Sequence, residues 1–241
     1  MNVSDTGAEA MGAVTDPARH ALDRLPRSIG HEQWLRRHHA EPDERVRDAA
    51  VLMLFGRGQK PRTRAGADEV ERLEGMNAAD VDVLLLQRAS TLRHHPGQVA
   101  FPGGGQDPED ADAVAAALRE AEEETGVDRS GIEIVGTMDS LYIPVSRFDV
   151  TPVIGWWQRP SAVRVMDRAE SARVYRVPIA DLVAPANRGT FTPPNRAYST
   201  PAFDVGVLRV WGFTAGLLEF ALEELGWARD WDRETHIEIQ I

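Results

Sequence analysis

A chain of 241 residues with 42% hydrophobic content can bury a sizeable core, and one domain with trimmings is the simplest organisation. Its formal net charge of −11 argues against nonspecific binding to nucleic acid or an anionic membrane, so a polyanionic ligand would need local cations or metal. With no cysteine, disulfides, thiolate metal sites and a cysteine nucleophile are all excluded.

The first 15 residues are small and polar, which predicts a flexible N-terminal segment reaching to about residue 30. This end has no apolar signal core, and no run in the chain approaches the ~18 apolar residues of a membrane span. A cytoplasmic location is the default expectation. Asp16 to Leu25 predicts a short helix, and Trp34 is expected to anchor the mixed stretch around it to a main domain spanning 31–228. Ala49 to Phe55 (AAVLMLF) reads as a buried strand, Gly56 to Ala79 as a polar loop or insertion, and Val81 to Leu86 as a second strand.

Further strands are expected at Ile132 to Met138, Val150 to Trp157, Ala172 to Val177 and Val205 to Trp211. Asp139 to Asp149 reads as a loop because it contains Pro144, and Ala184 to Pro201 as a long loop because Pro, Asn and Gly recur in it. Ile179 to Val183 predicts a short helix, and Thr214 to Leu225 an amphipathic one. A charged tail, 229–241, alternates from His236 and is expected to pair as an edge strand. Mixed strands around one central helix, with a late helix, predict an α/β fold: an α/β/α sandwich.

The central stretch is Phe101 to Val127, FPGGGQDPEDADAVAAALREAEEETGV. Gly103, Gly104 and Gly105 permit backbone shapes that other residues resist. Asp107-Pro108 or Asp110 offers a helix start, Ala115 to Ala117 favour propagation, and Gly126 ends it. At 100° per residue, Val114, Leu118, Ala121 and Thr125 share a side suited to a core. Glu120, Glu123 and Glu124 gather on another side, and Glu122 points elsewhere. Like charges at this spacing repel by about 0.2–0.5 kcal/mol per pair. Glu123 and Glu124 also stand near the negative end of the helix dipole. A hard cation with oxygen ligands would remove both objections. Arg119, four residues before Glu123, can pair with it. Most acidic triplets on helices are simply solvated faces. The glycine entry, the Arg-Glu pair and the glycine stop favour the metal reading here.

This stretch resembles the Nudix box, the signature of the Nudix hydrolase family. Arg119-Glu120-Ala121-Glu122-Glu123-Glu124-Thr125-Gly126-Val127 fits R-E-U-x-E-E-x-G-U in full. The first half departs: Ala111 stands where the pattern has Glu, and Asp110 lies one residue earlier, as if the loop were one residue longer. Upstream, Leu84-Leu85-Leu86-Gln87-Arg88-Ala89, Arg93, Gly97 and Phe101-Pro102-Gly103-Gly104 resemble the extra signature of the coenzyme A pyrophosphatase branch, L-L-T-x-R-[SA]-x3-R-x3-G-x3-F-P-G-G. Only Leu86, for Thr, departs from it. Likeness weakens beyond the box, to Thr151-Pro152-Val153 and Glu170.

The resemblance implies the Nudix fold and a small-molecule substrate, coenzyme A or an acyl derivative, cut at its pyrophosphate into 3′,5′-ADP and 4′-phosphopantetheine. It implies Glu120, Glu123 and Glu124 as ligands of Mg²⁺ or Mn²⁺, with Arg119 orienting them. Glu123, Glu170 or metal-bound hydroxide are the open choices for the base. Arg88 and Arg93 offer planar forks suited to phosphate, and Gly103 and Gly104 let backbone N–H groups approach it. Gly97 and Gln98 belong to the same substrate-side loop; as bare residues they are turn formers, and His94 and His95 surface residues. The alternatives are another nucleoside diphosphate derivative, such as ADP-ribose or NADH, and a Nudix-fold binding module without catalysis.

Overall fold

The computed structural model describes residues 16–27, 46–92, 95–144, 146–194 and 199–239. The expectations for the first 15 residues, Trp34, Arg93, His94 and the last two residues of the tail lie outside this set.

Strand β1 (Arg47–Arg57) is the centre of a mixed sheet. It runs parallel to β7 (Phe148–Trp157) and antiparallel to β2 (Val81–Arg88) and β4 (Gly103–Gly105). β3 (Val99–Ala100) and β8 (Ser171–Pro178) pair with β2, while β5 (Ile132–Thr137) and β6 (Leu141–Ile143) pair with β7. β1 alternates as a doubly covered strand must. Ala50, Leu52 and Leu54 pack toward the helix that follows the glycines, with Leu84, Val153 and Trp157. Met53 and Phe55 enter the larger core on the other face, with Leu22, Leu73, Ile179, Leu182, Leu218 and Trp227. The result is the expected α/β/α sandwich.

Helices α1 (Pro17–Ala21), α5 (Ile179–Val183) and α6 (Gly212–Glu224) match the sequence reading closely. Five expectations need correction. The supposed loop Gly56–Ala79 contains two short helices, α2 (Arg64–Ala67) and α3 (Val70–Glu74). Tertiary bonds hold the first: Asp181, 1% exposed, accepts the backbone N–H of Arg62 and Thr63 at 2.8 and 3.0 Å. The loop Asp139–Asp149 includes β6, and the loop after Ala184 includes β9 (Arg188–Phe191) and the start of β10 (Thr200–Asp204). The strand expected from Val205 narrows to β11 (Arg209–Trp211), because Gly206 turns the chain at φ 81°. β9, β10 and β11 form a second, antiparallel sheet. The tail meets it by a single parallel bridge, His236 to Thr190, rather than a strand.

Candidate active site

Helix α4 (Ala113–Thr125) carries the acidic residues. Its N-cap is Asp112, which accepts the Ala115 N–H at 2.8 Å, not Asp107 or Asp110 as the sequence suggested. Gly126 ends it in the left-handed region at φ 67°. Carbonyls of the last turn are taken by the following loop: Arg164 N–H reaches Thr125 O at 2.9 Å and Met166 N–H reaches Glu124 O at 3.4 Å.

The helix is rotated relative to the expected faces. Ala116, Ala117, Ala121, Glu124 and Thr125 are buried, while Val114 and Leu118 are only partly so. Glu124 therefore lies on the packed stripe with Ala117 and Ala121, at i+7 and i+3. Its carboxylate accepts the Gly103 N–H at 3.0 Å. Burial pushes Glu124 up to about 7 against that hydrogen bond, and the charge of Glu120 adds to the rise. Burial also raises Glu120, offset by its bond to Arg119. Glu123 is different, with a side chain 60% exposed.

Arg119 is the hub. It donates to Asp110 from Nη2 at 2.8 Å and Nε at 3.1 Å, to Glu120 at 3.0 Å, to Glu123 at 3.1 Å and to the Gly105 carbonyl at 3.0 Å. These bonds hold Asp110 below the usual carboxylate range. Asp110, one residue out of register with the common pattern, is thus the loop's partner to the helix.

The glycine strand covers the carboxylates. A Cβ on Gly104 would lie 2.5 Å from the Glu120 carboxyl carbon, and one on Gly103 would meet Ala50 O and the Val51 backbone. The two positions should fail differently. Gly103→Ala meets rigid backbone and should destabilise the fold by about 1–3 kcal/mol, as overpacking does. Gly104→Ala meets a movable carboxylate; it should keep a near-normal melting temperature and lose about tenfold in kcat, as expected if misplacing a charged group raises the barrier by about 1.4 kcal/mol. Melting curves and turnover of both variants check this. Equal stability losses would mean Glu120 has no freedom to move.

A family profile for the NUDIX domain matches residues 73–192. The uncharacterized Nudix hydrolase NudL of Escherichia coli K12 is 38% identical over 147 residues, covering 58% of this chain and 74% of the relative. The chain belongs to the Nudix hydrolase family. NudL of Enterobacter sp. strain 638 is 37% identical over 144 residues, with the same coverage. Among solved structures, a NUDIX hydrolase from Alicyclobacillus acidocaldarius aligns with 75% of this chain and 93% of its own, at 19% identity and a TM-score of 0.47.

Nudix membership brings a general pyrophosphohydrolase activity, and the family generally uses divalent ions such as Mg²⁺ or Mn²⁺. The donor set fits a hard cation. Glu120 and Glu124 are oxygen donors raised first by burial; the charge of Glu120 adds to the rise of Glu124 and that of Glu123 to the rise of Glu120, and a cation would relieve both. Among the described residues, no three acidic or imidazole groups already converge as a metal cage. Glu123 accounts for the shortfall, being turned outward onto Arg119.

The upstream Nudix segment delivers Arg88 at the end of β2, where its charge acts on Glu124. Its Nε is buried without a hydrogen-bond partner. Gly97, at φ 68°, and Gln98 close the β2–β3 turn: Arg88 N–H reaches Gln98 O at 2.9 Å, and Gln87 Nε2 reaches Gly97 O at 3.3 Å. The Gln98 side chain is bonded to His95 Nδ1 at 2.9 Å. Glu170 is exposed just before β8, and its carbonyl accepts the Ala89 N–H at 2.8 Å. Two surface grooves, of about 420 and 840 Å³, share no residue with this constellation. No helix of the described residues is long and apolar enough to cross a membrane.

Proposed function

We propose that this Nudix hydrolase cleaves the pyrophosphate of coenzyme A or its acyl derivatives, giving 3′,5′-ADP and (acyl-)4′-phosphopantetheine. The observation that carries the diphosphate part of the reading is Arg88, while the coenzyme A part rests on the resemblance of Leu84 to Gly104 to that branch's signature. Arg88 closes the Leu84–Arg88 segment of the coenzyme A signature, and its buried, unpartnered Nε stands within the electrostatic reach of Glu124. A guanidinium beside carboxylates that leave its Nε unused is suited to a phosphoryl oxygen.

Glu120 and Glu124, with Glu123 swung from Arg119, would hold the ion. A divalent cation bound there supplies charge neutralisation and acidifies water. Arg119 positions Glu120 and Glu123 while pinning the Asp110 loop. Gly103 and Gly104 hold backbone with no side chain of its own against Glu124 and Glu120, where the phosphate would bind. Gly97 and Gln98 shape the turn into β3, and Arg93, four residues before Gly97 in the sequence, is the cation we assign to the substrate's remaining phosphate. Arg88, beside Glu124, serves the diphosphate itself.

The test is a panel of CoA, acyl-CoA, ADP-ribose and NADH with Mg²⁺, Mn²⁺ or EDTA, with products identified by mass spectrometry. Metal-dependent release of 3′,5′-ADP from CoA is expected. A kcat/KM higher for ADP-ribose or NADH than for CoA would replace the substrate assignment. Tight binding with no turnover of any member would make the chain a binding module.

Ion binding should also appear in stability. Binding to the native state alone adds about 2.7 kcal/mol at a hundredfold excess over Kd, a rise of several degrees for a chain this long. The shift should vanish when Glu120, Glu123 and Glu124 are all changed to Gln. An undiminished shift in that variant would put the ion elsewhere.

A further inference from the structure

β2 and β8 run antiparallel, and their register slips between Gln87 and Arg88. Gln87 faces Arg173, the slip passes over Ala172, and Arg88 then faces Ser171. Directly opposed residues in such a pair share a face, with Cβ atoms about 4.5–5.5 Å apart. Leu84 and Val174 mark the face toward α4. Gln87 and Tyr175 mark the other: the Tyr175 hydroxyl donates to Gln87 Oε1 at 3.4 Å, and Tyr175 belongs to the opposite core. Alternation from Gln87 puts Arg88, and so Ser171, on the α4 side with Glu124. Bulges recur next to active sites because they re-aim one side chain.

Both groups at this position are orphaned. Ser171 is 1% exposed, and its Oγ has no hydrogen-bond partner. Arg88 Nε is buried and equally without one. Buried polar groups are nearly always satisfied, and leaving one unmade is costly. Two such groups at one register position can share an acceptor. Arg88 can only donate and Ser171 can donate, so an anionic oxygen suits both. The Glu124 carboxylate accepts from Gly103 and bonds neither of the two. The backbone here is fixed without the hydroxyl, since Ser171 N–H donates to Asp167 O at 2.9 Å.

We propose that Ser171 Oγ and Arg88 Nε clamp one non-bridging oxygen of the substrate's diphosphate, making Ser171 a substrate-binding residue. This deepens the hydrolase reading above and rests on it for the identity of the substrate. The clamp grips the part that every nucleoside diphosphate derivative shares. It therefore sets which phosphoryl group faces Glu124, not which nucleotide is chosen.

The experiment uses the full chain with saturating Mg²⁺ and methylenediphosphonate, a diphosphate that cannot be hydrolysed. Binding is measured by calorimetry for wild type, Ser171→Ala, Arg88→Ala and the double variant. Ser171→Cys is included as a near-isosteric second change. Each single variant should bind about tenfold more weakly, and the double should lose less than the product of the two, because both groups hold one oxygen. Ser171→Ala should melt no lower than wild type without metal, since it removes an orphan. Its kcat/KM should fall by one common factor on CoA and ADP-ribose. Wild-type-like binding by Ser171→Ala and Ser171→Cys overturns the clamp, and so does no binding by wild type. Strictly multiplicative losses overturn the shared oxygen. Coupled losses in binding, with no turnover of any diphosphate by wild type, would leave the clamp standing and remove the hydrolase reading.

Discussion

Glu124→Gln should lower kcat by about 10²-fold or more while making the metal-free protein more stable at alkaline pH. The catalytic loss is the size seen when one electrostatic stabiliser is removed. The stability gain follows from burial. Glu124 is 9% exposed and is pushed up to about 7, mainly by desolvation. Gln keeps an oxygen for the Gly103 N–H, which Glu124 accepts at 3.0 Å, and carries no charge to bury. A carboxyl whose folded value lies above its unfolded value favours the folded state most while protonated. Its contribution is complete below about 4.5 and is lost as pH rises through about 7. The melting temperature of the metal-free wild type should therefore fall below that of the variant at pH 8, by at most about 3 kcal/mol in stability. The gap should close toward pH 5. Mg²⁺ should reverse the order at pH 8, because only wild type would bind it well. Melting curves at both pH values, with and without Mg²⁺, check the stability part, and turnover checks the rest. A folded variant with near-normal kcat would remove Glu124 from the ion site. A gap independent of pH would mean the carboxylate is not desolvated.

The layers and the box helix were readable because they rest on local signals. The alternating apolar run of β1 and the alanines of α4 need no partner to be recognised. The face of Glu124 was not. Counting charges put it with Glu120 and Glu123, whereas i+7 from Ala117 puts it on the packed stripe, where only the Gly103 N–H makes a carboxylate tolerable. Asp110 was misplaced for a related reason. As an acid before a helix it looks like a cap, but Asp112 caps, and Asp110 reaches Arg119 across a loop whose path no periodicity encodes. Helix α2 has four residues, too few to nucleate alone, and depends on Asp181, more than a hundred residues away. Ser171 carries no signal at all: a lone serine ahead of a strand becomes notable only when its buried hydroxyl is found unpartnered.

Arg119→Ala should weaken Mg²⁺ binding by about 10–100-fold, the usual cost of losing a group that orients metal ligands. Arg119 touches two proposed ligands, Glu120 and Glu123, and ties them to Asp110 and the Gly105 carbonyl. Without it Glu120 and Glu123 repel one another, and Asp110 loses the partner that holds its carboxyl low. Arg119→Lys keeps the charge but not the fork, so it cannot serve Asp110, Glu120, Glu123 and a carbonyl together. It should recover only part of the affinity. The activity deficit of both variants should shrink as Mg²⁺ is raised, since the residue acts through the ligands and does not touch the reacting atoms. The control is Asp110→Asn. If Asp110 works only by pinning Arg119, then Asp110→Asn should have little effect in the Arg119→Ala background, although it weakens the ion severalfold in wild type. The measurement is the Mg²⁺ concentration for half-maximal turnover in wild type, the three single variants and the Asp110→Asn/Arg119→Ala double. A loss in Arg119→Ala that high Mg²⁺ does not relieve would place Arg119 on the substrate instead, and additive effects in the double variant would give Asp110 a task of its own.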